Sequence, residues 1–128
     1  MENQLASWHK FVETRNPVHL EKLLADDVEF HSPFVWKPKK GKETAIAILA
    51  TVAQVFEEFH YVKEIVDGKN CVLEFEARMG VLTMRGVDII SFNDEGKAID
   101  FEVMIRPMNA LEVVGTEMTK RLEAKGLV

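Results

Sequence analysis

The sequence has 128 residues and a formal net charge of −5; apolar residues make up 47% of it and charged residues 29%. This length favours a single domain, residues 1–128, and the composition excludes a disordered chain. No apolar run approaches the roughly 20 residues of a membrane-spanning helix, so we expect no membrane partner. The N-terminal segment lacks the basic and then apolar order of a secretory signal, which predicts a cytoplasmic protein.

The charge pattern argues against a nucleic acid partner. The densest basic stretch, residues 37–42, is short and lacks interleaved aromatic side chains, and the chain as a whole is acidic. We interpret this stretch as a solvated loop. Cys71 is the single cysteine, so no intramolecular disulfide can form, which agrees with a cytoplasmic location.

Apolar periodicity predicts three helices and a short strand in the N-terminal half. In chain order these are a helix over 3–14, a helix over 18–25, a strand over 28–32 and a helix over 43–56. Asn16 and Pro17 support the second helix, since asparagine is a frequent cap and proline suits the first helical position. Pro33 ends the strand and opens a loop that reaches Gly41.

The C-terminal half predicts a four-stranded meander followed by a helix. The strands are expected over 59–66, 71–79, 82–92 and 98–105. Their connections are short and carry hairpin residues, so we expect antiparallel pairing. Arg106-Pro107 ends the last strand, and Asn109 with Glu112 resembles a capping box that opens a helix reaching about Ala124.

This order of elements predicts the α+β class: a curved antiparallel sheet wrapped around the N-terminal helices, plus a C-terminal helix. A sheet that bends around helices forms a cone, and the mouth of a cone can admit a ligand. We therefore expect a pocket on the concave face of the sheet.

Asp88 is the candidate functional residue because it lies in the middle of an apolar strand, residues 86–92. A carboxylate among Ile, Val and Phe is costly unless it is paired, hydrated or protonated. Two orientations are open from the strand alone. Either Asp88 faces solvent while Val87 and Ile89 face the core, or Asp88 faces the core and its pKa is pushed towards neutrality.

Three segments together resemble one known superfamily. They are residues 23–33 with Gly41-Lys42-Glu43 at the expected distance, residues 86–97, and residues 100–107. In this order they resemble the nuclear transport factor 2-like superfamily, near its SnoaL-like branch, which also holds ketosteroid isomerases, limonene epoxide hydrolases and polyketide cyclases. The resemblance covers nearly the whole chain and implies the cystatin-like cone fold.

The resemblance also implies roles for individual residues. Aligned on these segments, the tyrosine of ketosteroid isomerase falls on Trp8, its general base on Ser32 and its protonated aspartate on Asp88. Serine without a base cannot abstract a carbon-bound proton near pH 7, so steroid isomerisation by the known route is not expected. The resemblance favours an inward Asp88 and makes Asp88, Ser32 and Trp8 the candidate catalytic residues.

Strand alternation predicts the lining of the pocket once Asp88 is taken to face inwards. The neighbouring strands then turn apolar side chains to the same face, and Asp88 is the one obvious acid among them. The predicted lining consists of Trp8, Phe30, Ser32, Phe34, Phe59, Phe75, Ala77, Met79, Asp88, Ile90, Phe101, Val103 and Ile105.

No metal site or cofactor is predicted. His9, His19, His31 and His60 have neither helical i, i+4 spacing nor His-x-His spacing, and no second cysteine supports zinc. By alternation His31 points away from the pocket. The sequence also lacks a glycine-rich phosphate loop and the Gly-x-Ser-x-Gly elbow of hydrolases.

The outer face of the predicted sheet indicates a homodimer. It mixes Val87, Ile89 and Met104 with acidic and basic side chains, a pattern typical of self-complementary contacts. The alternative is that the C-terminal helix covers this face.

These observations favour a protein that binds an apolar or carbonyl-bearing small molecule in the pocket, with no assigned reaction. One alternative is a cofactor-free isomerase, cyclase or hydratase that uses Asp88 as acid or base. Another is a protein-interaction module that works through the outer face of the sheet.

Overall fold

The computed structural model of the chain describes residues 1–127. Its helices are α1 (Glu2–Thr14), α2 (Val18–Glu21), α3 (Lys42–Val55) and α4 (Met108–Ala124). Its strands are β1 (Leu24–His31), β2 (Lys39–Lys40), β3 (Glu57–Asp67), β4 (Asn70–Met79), β5 (Leu82–Phe92) and β6 (Ala98–Arg106). None of the helices within this range is long and apolar enough to cross a membrane.

The strands form one curved, open sheet in the order β2-β1-β6-β5-β4-β3. Strands β3 to β6 pair antiparallel, as the short connections predict. Strand β1 instead pairs parallel with β6, so the sheet is mixed rather than wholly antiparallel. Phe30 of β1 lies beside Phe101 of β6 in this register, which brings the N-terminal strand into the same wall as the meander.

The second helix is shorter than its pattern predicts, because α2 ends at Glu21 and residues 24–25 already belong to β1. The backbone of residues 23–25 forms hydrogen bonds in the sheet instead of continuing the helix. Ala98 donates its N–H to the carbonyl of Leu23 at 2.8 Å, and Leu24 is the register partner of Ala98. Pairing with a distant strand thus overrides the helical propensity of the segment.

The two predicted helix caps differ in outcome. The side chain of Asn16 accepts a hydrogen bond from the N–H of Val18 at 3.1 Å, as expected at the start of α2. The capping box predicted at Asn109 is wrong, because Asn109 lies inside α4 and Pro107 holds the cap position. The helix begins earlier since the carbonyl of Pro107 accepts the hydrogen bond from Leu111 at 3.0 Å.

The helices pack on the concave face of the sheet. Along β4 and β5, buried residues of this face alternate with more exposed residues of the outer face. Helix α4 places Ala110, Val114 and Met118 in one apolar cluster with Phe75 and Met84 of the concave face. The C-terminal helix therefore lies inside the cone and leaves the outer face of the sheet uncovered.

Gly86 is required where β5 passes close to its neighbours. A Cβ atom there would lie 2.4 Å from the Cζ atom of Phe75 and 2.4 Å from the carbonyl oxygen of Met104. Glycine lets the Phe75 ring lie against the backbone of β5, two residues from Asp88 on the same face. This close approach fixes one side of the space that Asp88 faces.

Candidate functional site

A cavity of about 480 Å³ opens between the concave face of the sheet and helices α1, α3 and α4. Small-molecule sites typically have volumes of about 300 to 1,000 Å³. The sequence-predicted residues that line this cavity are Trp8, Phe30, Ser32, Phe34, Phe59, Phe75, Asp88, Val103 and Ile105. The three candidate catalytic residues therefore share one cavity whose wall is mostly aromatic and aliphatic.

The remaining predicted pocket residues do not line the cavity; they are Ala77, Met79, Ile90 and Phe101. Ile90 and Phe101 are completely buried in the cluster under α1, where side chains fill the narrowing cone. Trp8 and Phe30 cover Phe101, with ring centroids 5.0 Å and 5.6 Å away. Ala77 and Met79 pack instead in the cluster under α4. Alternation identifies the inner face but not the depth at which the cone closes.

Asp88 faces the interior of the cone. The residue is only 5% exposed, and its same-face neighbours Gly86 and Ile90 are buried as well. Val87 and Ile89, on the opposite face of β5, are partly exposed. Of the two orientations that the strand leaves open, the inward one is observed.

A chain of hydrogen bonds joins three elements at the wall of the cavity. The indole Nε1–H of Trp8 on α1 donates to Oη of Tyr61 on β3 at 2.7 Å. The hydroxyl of Tyr61 in turn donates to Oδ2 of Asp88 at 2.5 Å. Within residues 1–127, Oδ1 of Asp88 has no hydrogen-bond partner. Because Asp88 lines the cavity, this second oxygen is the one available to a ligand.

Asp88 and Tyr61, the two ionisable groups in this chain of hydrogen bonds, differ in their protonation near neutral pH. Burial raises the pKa of Asp88 to about 7, and the hydrogen bond from Tyr61 offsets part of that rise. The pKa of Tyr61 is raised well above its usual value, mainly by burial and also by the Asp88 carboxylate. Tyr61 therefore keeps its proton near pH 7, while Asp88 is present in both protonation states. In one state the carboxyl can donate a hydrogen bond, and in the other it can accept one or take up a proton.

Ser32 lines the same cavity but is not bonded to Asp88. Its Oγ accepts a hydrogen bond from the N–H of Phe34 at 3.3 Å, which holds the loop that follows β1. No His, Asp or Glu within the described range accepts the Ser32 hydroxyl proton, so this serine is not activated as a nucleophile. Its hydroxyl can instead offer a hydrogen bond to a ligand.

Residues 5–101, more than half of the chain, match a family model described as the SnoaL-like domain. The chain belongs to the SnoaL-like family. Proteins of this fold, the nuclear transport factor 2-like fold, include isomerases and cyclases. A comparison with curated protein sequences finds no match for this SnoaL-like protein.

Solved structures extend the comparison. The SnoaL-like protein is similar to a steroid delta-isomerase from Pseudomonas aeruginosa, at 41% identity and a TM-score of 0.94, over 99% of this chain and 94% of that one. It is similar to an uncharacterised protein with a cystatin-like fold from Silicibacter pomeroyi, at 34% identity and a TM-score of 0.91, over 96% and 87%. A protein described as a SnoaL-like polyketide cyclase from Jannaschia shares the fold alone, at 14% identity and a TM-score of 0.71, over 87% and 90%.

Sequence reasoning missed Tyr61, the single tyrosine of this SnoaL-like protein. The register of β3 with β4 shifts between Glu57 and His60 and again between Tyr61 and Lys63, so alternation cannot be followed along the whole strand. The usable signal is Phe59, a predicted wall residue two positions before Tyr61. The two rings meet edge to face, with centroids 5.1 Å apart.

His31 lies on the outer face of the sheet, away from the cavity. Its Nε2 is 3.2 Å from Oδ2 of Asp100, and one ligand atom from each of Glu29, His31 and Asp100 lies within 4.8 Å of the others. The sequence did not predict this group because Asp100 comes from β6, and only the parallel pairing with β1 brings it beside Glu29. The contact between His31 and Asp100 ties β1 to β6 at the surface.

Proposed function

We propose that this SnoaL-like protein binds, in its cavity, an apolar small molecule that carries a carbonyl or hydroxyl group. Asp88 forms the hydrogen bond to that oxygen. One observation carries the proposal: a buried carboxyl, with one oxygen held by Tyr61 and the other unpartnered, lies deep in a mostly apolar wall.

This hydrogen bond is available in either charge state of Asp88. Because Tyr61 donates to Oδ2, a protonated Asp88 carries its hydrogen on Oδ1 and donates it to a ligand carbonyl. An ionised Asp88 accepts from a ligand hydroxyl at the same atom. A ligand without such an oxygen leaves a buried polar atom unpaired, which costs about 1 to 3 kcal/mol. That cost corresponds to a preference of roughly five- to 150-fold for the oxygenated ligand.

A steroid ketone and its matched hydrocarbon test the proposal, since the 41% identical protein is described as a steroid delta-isomerase. Displacement of a fluorescent apolar dye from the cavity measures both affinities. We expect the wild type to prefer the ketone and Asp88→Leu to lose the preference. Asp88→Asn should keep it, because the amide donates to the ketone while its oxygen accepts from Tyr61. Equal binding of ketone and hydrocarbon by the wild type contradicts the proposal.

The near-neutral pKa of Asp88 supports a second candidate function. We propose as the alternative a cofactor-free isomerase, cyclase or hydratase in which Asp88 acts as acid or base. In an isomerisation, the ionised carboxyl removes a proton from the carbon beside the ligand carbonyl and returns it to another carbon of the conjugated system. Trp8 holds Tyr61 in place, and the Ser32 hydroxyl donates to the ligand oxygen as it gains charge.

Turnover of a β,γ-unsaturated steroid ketone tests this alternative, because the conjugated product absorbs in the ultraviolet. We expect kcat/KM to rise with pH around an apparent pKa of about 7, the value for Asp88. Asp88→Asn should lower it by roughly 10²- to 10⁴-fold. If the wild type binds the ketone but converts it no faster than the variant, the enzyme alternative fails and the binding proposal stands.

We further propose that two copies of the chain associate through the outer face of the sheet, in the cytoplasm. Met104 and Ile65 expose 47% and 52% of their surface. Glu76 of β4 and Arg85 of β5 form an ion pair on the same face, so this face carries both charge signs as well as apolar side chains. Such a face can meet its own copy about a twofold axis. An interaction module that offers this face to a different protein stays a prediction.

A further inference from the structure

The mouth of the cavity is charged, in contrast to its depth. Glu13 and Arg15 at the end of α1, Lys39 of β2 and Glu58 of β3 all line the cavity and are exposed to solvent. Their exposure marks where the cavity opens, since Asp88 and the residues around it are buried. The cavity thus combines one hydrogen-bonding group at depth, an apolar wall and a charged mouth.

The two cations of the mouth are unpaired. Within residues 1–127, Arg15 and Lys39 take part in no ion pair. Glu58, by contrast, binds Arg78 at 3.2 Å, so its charge is already matched. Glu13 is the mouth carboxylate that has no ion pair in this range. The mouth therefore offers two free cations against one free carboxylate, in a chain whose net charge is −5.

The backbone at the mouth has an uncommon conformation. Arg15 and Glu58 have φ angles of 59° and 53°, and no other non-glycine residue among residues 1–127 has a positive φ. Glycine is the usual residue at a left-handed helix cap, because a side chain there is strained. Strained residues of this kind cluster at ligand-binding sites. Both of them line this cavity, which points to a role for the mouth itself.

Helix α1 sets the distance between the two polar regions. Trp8 contacts Tyr61, which holds Asp88, and Arg15 follows Trp8 by seven residues at the end of the same helix. At about 1.5 Å per residue, seven residues span about 10 Å along the helix axis, so Arg15 lies about that far along the axis from Trp8. A ligand that reaches both must carry polar groups about that far apart.

We propose that the ligand is an amphipathic anion, whose apolar body carries a carbonyl or hydroxyl group at one end and a carboxylate at the other. The oxygen meets Asp88, and Arg15 and Lys39 bind the carboxylate at the mouth. This assignment rests on the proposed function and adds the charge of the ligand to it. A guanidinium can donate two parallel hydrogen bonds to a carboxylate, and Lys39 contributes a second positive charge.

Calorimetric titration of the full chain with three related compounds tests the assignment. The probe is acetylbiphenyl carboxylate, whose acetyl and carboxylate groups lie at opposite ends of a rigid apolar body. Its methyl ester lacks the charge, and biphenyl carboxylate lacks the acetyl oxygen. We expect the wild type to bind the acid about five- to tenfold more tightly than the ester, the effect of two partly exposed ion pairs. Added salt should reduce this ratio.

Three variants test whether the ratio of acid to ester affinity depends on the charged residues of the mouth. The double variant Arg15→Gln, Lys39→Gln should bind acid and ester equally. The matched control Lys10→Gln, Lys40→Gln removes two cations from the same helix and strand that do not line the cavity, and should keep the wild-type ratio. Glu13→Gln should strengthen binding of the acid, because it removes a repelling carboxylate.

Equal affinity of the wild type for acid and ester overturns the assignment, and so does a preference for the acid that survives Arg15→Gln, Lys39→Gln. The proposed function fails through a different result, namely equal affinity for the acetyl acid and biphenyl carboxylate. If the wild type prefers the acetyl compound but does not prefer the acid to the ester, the proposed role of Asp88 stands and the proposal of an anionic ligand fails. Failure of all three compounds to bind overturns both.

Discussion

Asp88 lies between two charge states because burial and one hydrogen bond act on its pKa in opposite directions. Burial dominates and brings the pKa to about 7, while the bond from Tyr61 stabilises the carboxylate. The neighbouring Cys71 thiol does not titrate in this range, since burial raises its pKa to about 11. Among Asp88, Tyr61 and Cys71, only Asp88 changes its charge near neutral pH.

The contribution of Asp88 to stability should fall as the pH rises. A carboxyl whose pKa is raised in the folded state stabilises folding while it is protonated. This contribution is complete below the unfolded pKa, about 3.9, and is lost as the pH rises through about 7. Between pH 5 and pH 8 we expect the wild type to lose about 2 to 3 kcal/mol relative to Asp88→Asn.

Urea unfolding of both proteins across this pH range measures the difference. The histidine ion pairs, such as His9 with Glu64 and His60 with Glu76, are common to both proteins and cancel in the comparison. A difference in unfolding free energy that does not change with pH contradicts a raised pKa for Asp88.

The Tyr61→Phe variant separates the two influences on Asp88. The hydrogen bond from Tyr61 lowers the pKa of Asp88, so its removal should raise that pKa further while leaving the residue buried. Carbon-detected NMR of the Asp88 carboxyl, titrated in both proteins, measures the shift. The aromatic ring is retained in the variant, so packing is matched. An unchanged or lower pKa in Tyr61→Phe shows that the hydrogen bond has no such effect.

At the scale of the element, the approach of β4, β5 and β6 around Gly86 shapes one wall of the cavity. In Gly86→Ala the new methyl group meets the ring of Phe75 and the carbonyl oxygen of Met104, so ring or backbone must shift. We expect a loss of about 1 to 3 kcal/mol in unfolding free energy, the usual cost of overpacking. Chemical denaturation measures it.

Thr83→Ala is the matched control for this prediction, because Thr83 is exposed on the same strand. Its effect should stay within about 0.5 kcal/mol. If both alanine variants are equally stable, the contact between Phe75 and the backbone of β5 is looser than its geometry requires.

At the scale of the whole molecule, the uncovered outer face of the sheet accounts for the proposed dimer. Met104→Glu introduces a carboxylate into the apolar part of that face, so the dimer should dissociate at concentrations at least about tenfold higher than for the wild type. Sedimentation velocity over a dilution series measures this. Met108→Glu is the control, since Met108 is 76% exposed but lies at the start of α4. A wild type that stays monomeric throughout the series contradicts the dimer.

The sequence by itself determined the meander and the face on which its side chains lie. Alternation along the segment that forms β4 and hairpin residues at the turns are local signals, because side-chain direction reverses at each residue of a strand. The same logic found most of the aromatic wall, including Phe30, Phe59 and Phe75. Alternation along the strand of Asp88 left the orientation of this residue open, since both faces of the strand carry apolar residues.

Only the tertiary structure decided what meets Asp88 and where the cavity closes. Tyr61 lies 27 residues before Asp88, and Trp8 lies 53 residues before Tyr61. The pairing of β3 with β4 and of β4 with β5 brings Tyr61 towards Asp88, just as pairing with Ala98 ends α2 early. A local pattern fixes the direction in which a side chain points, because it depends on the backbone of a few residues. Its contact partner depends on the register and packing of distant segments, which the energy of the whole core decides.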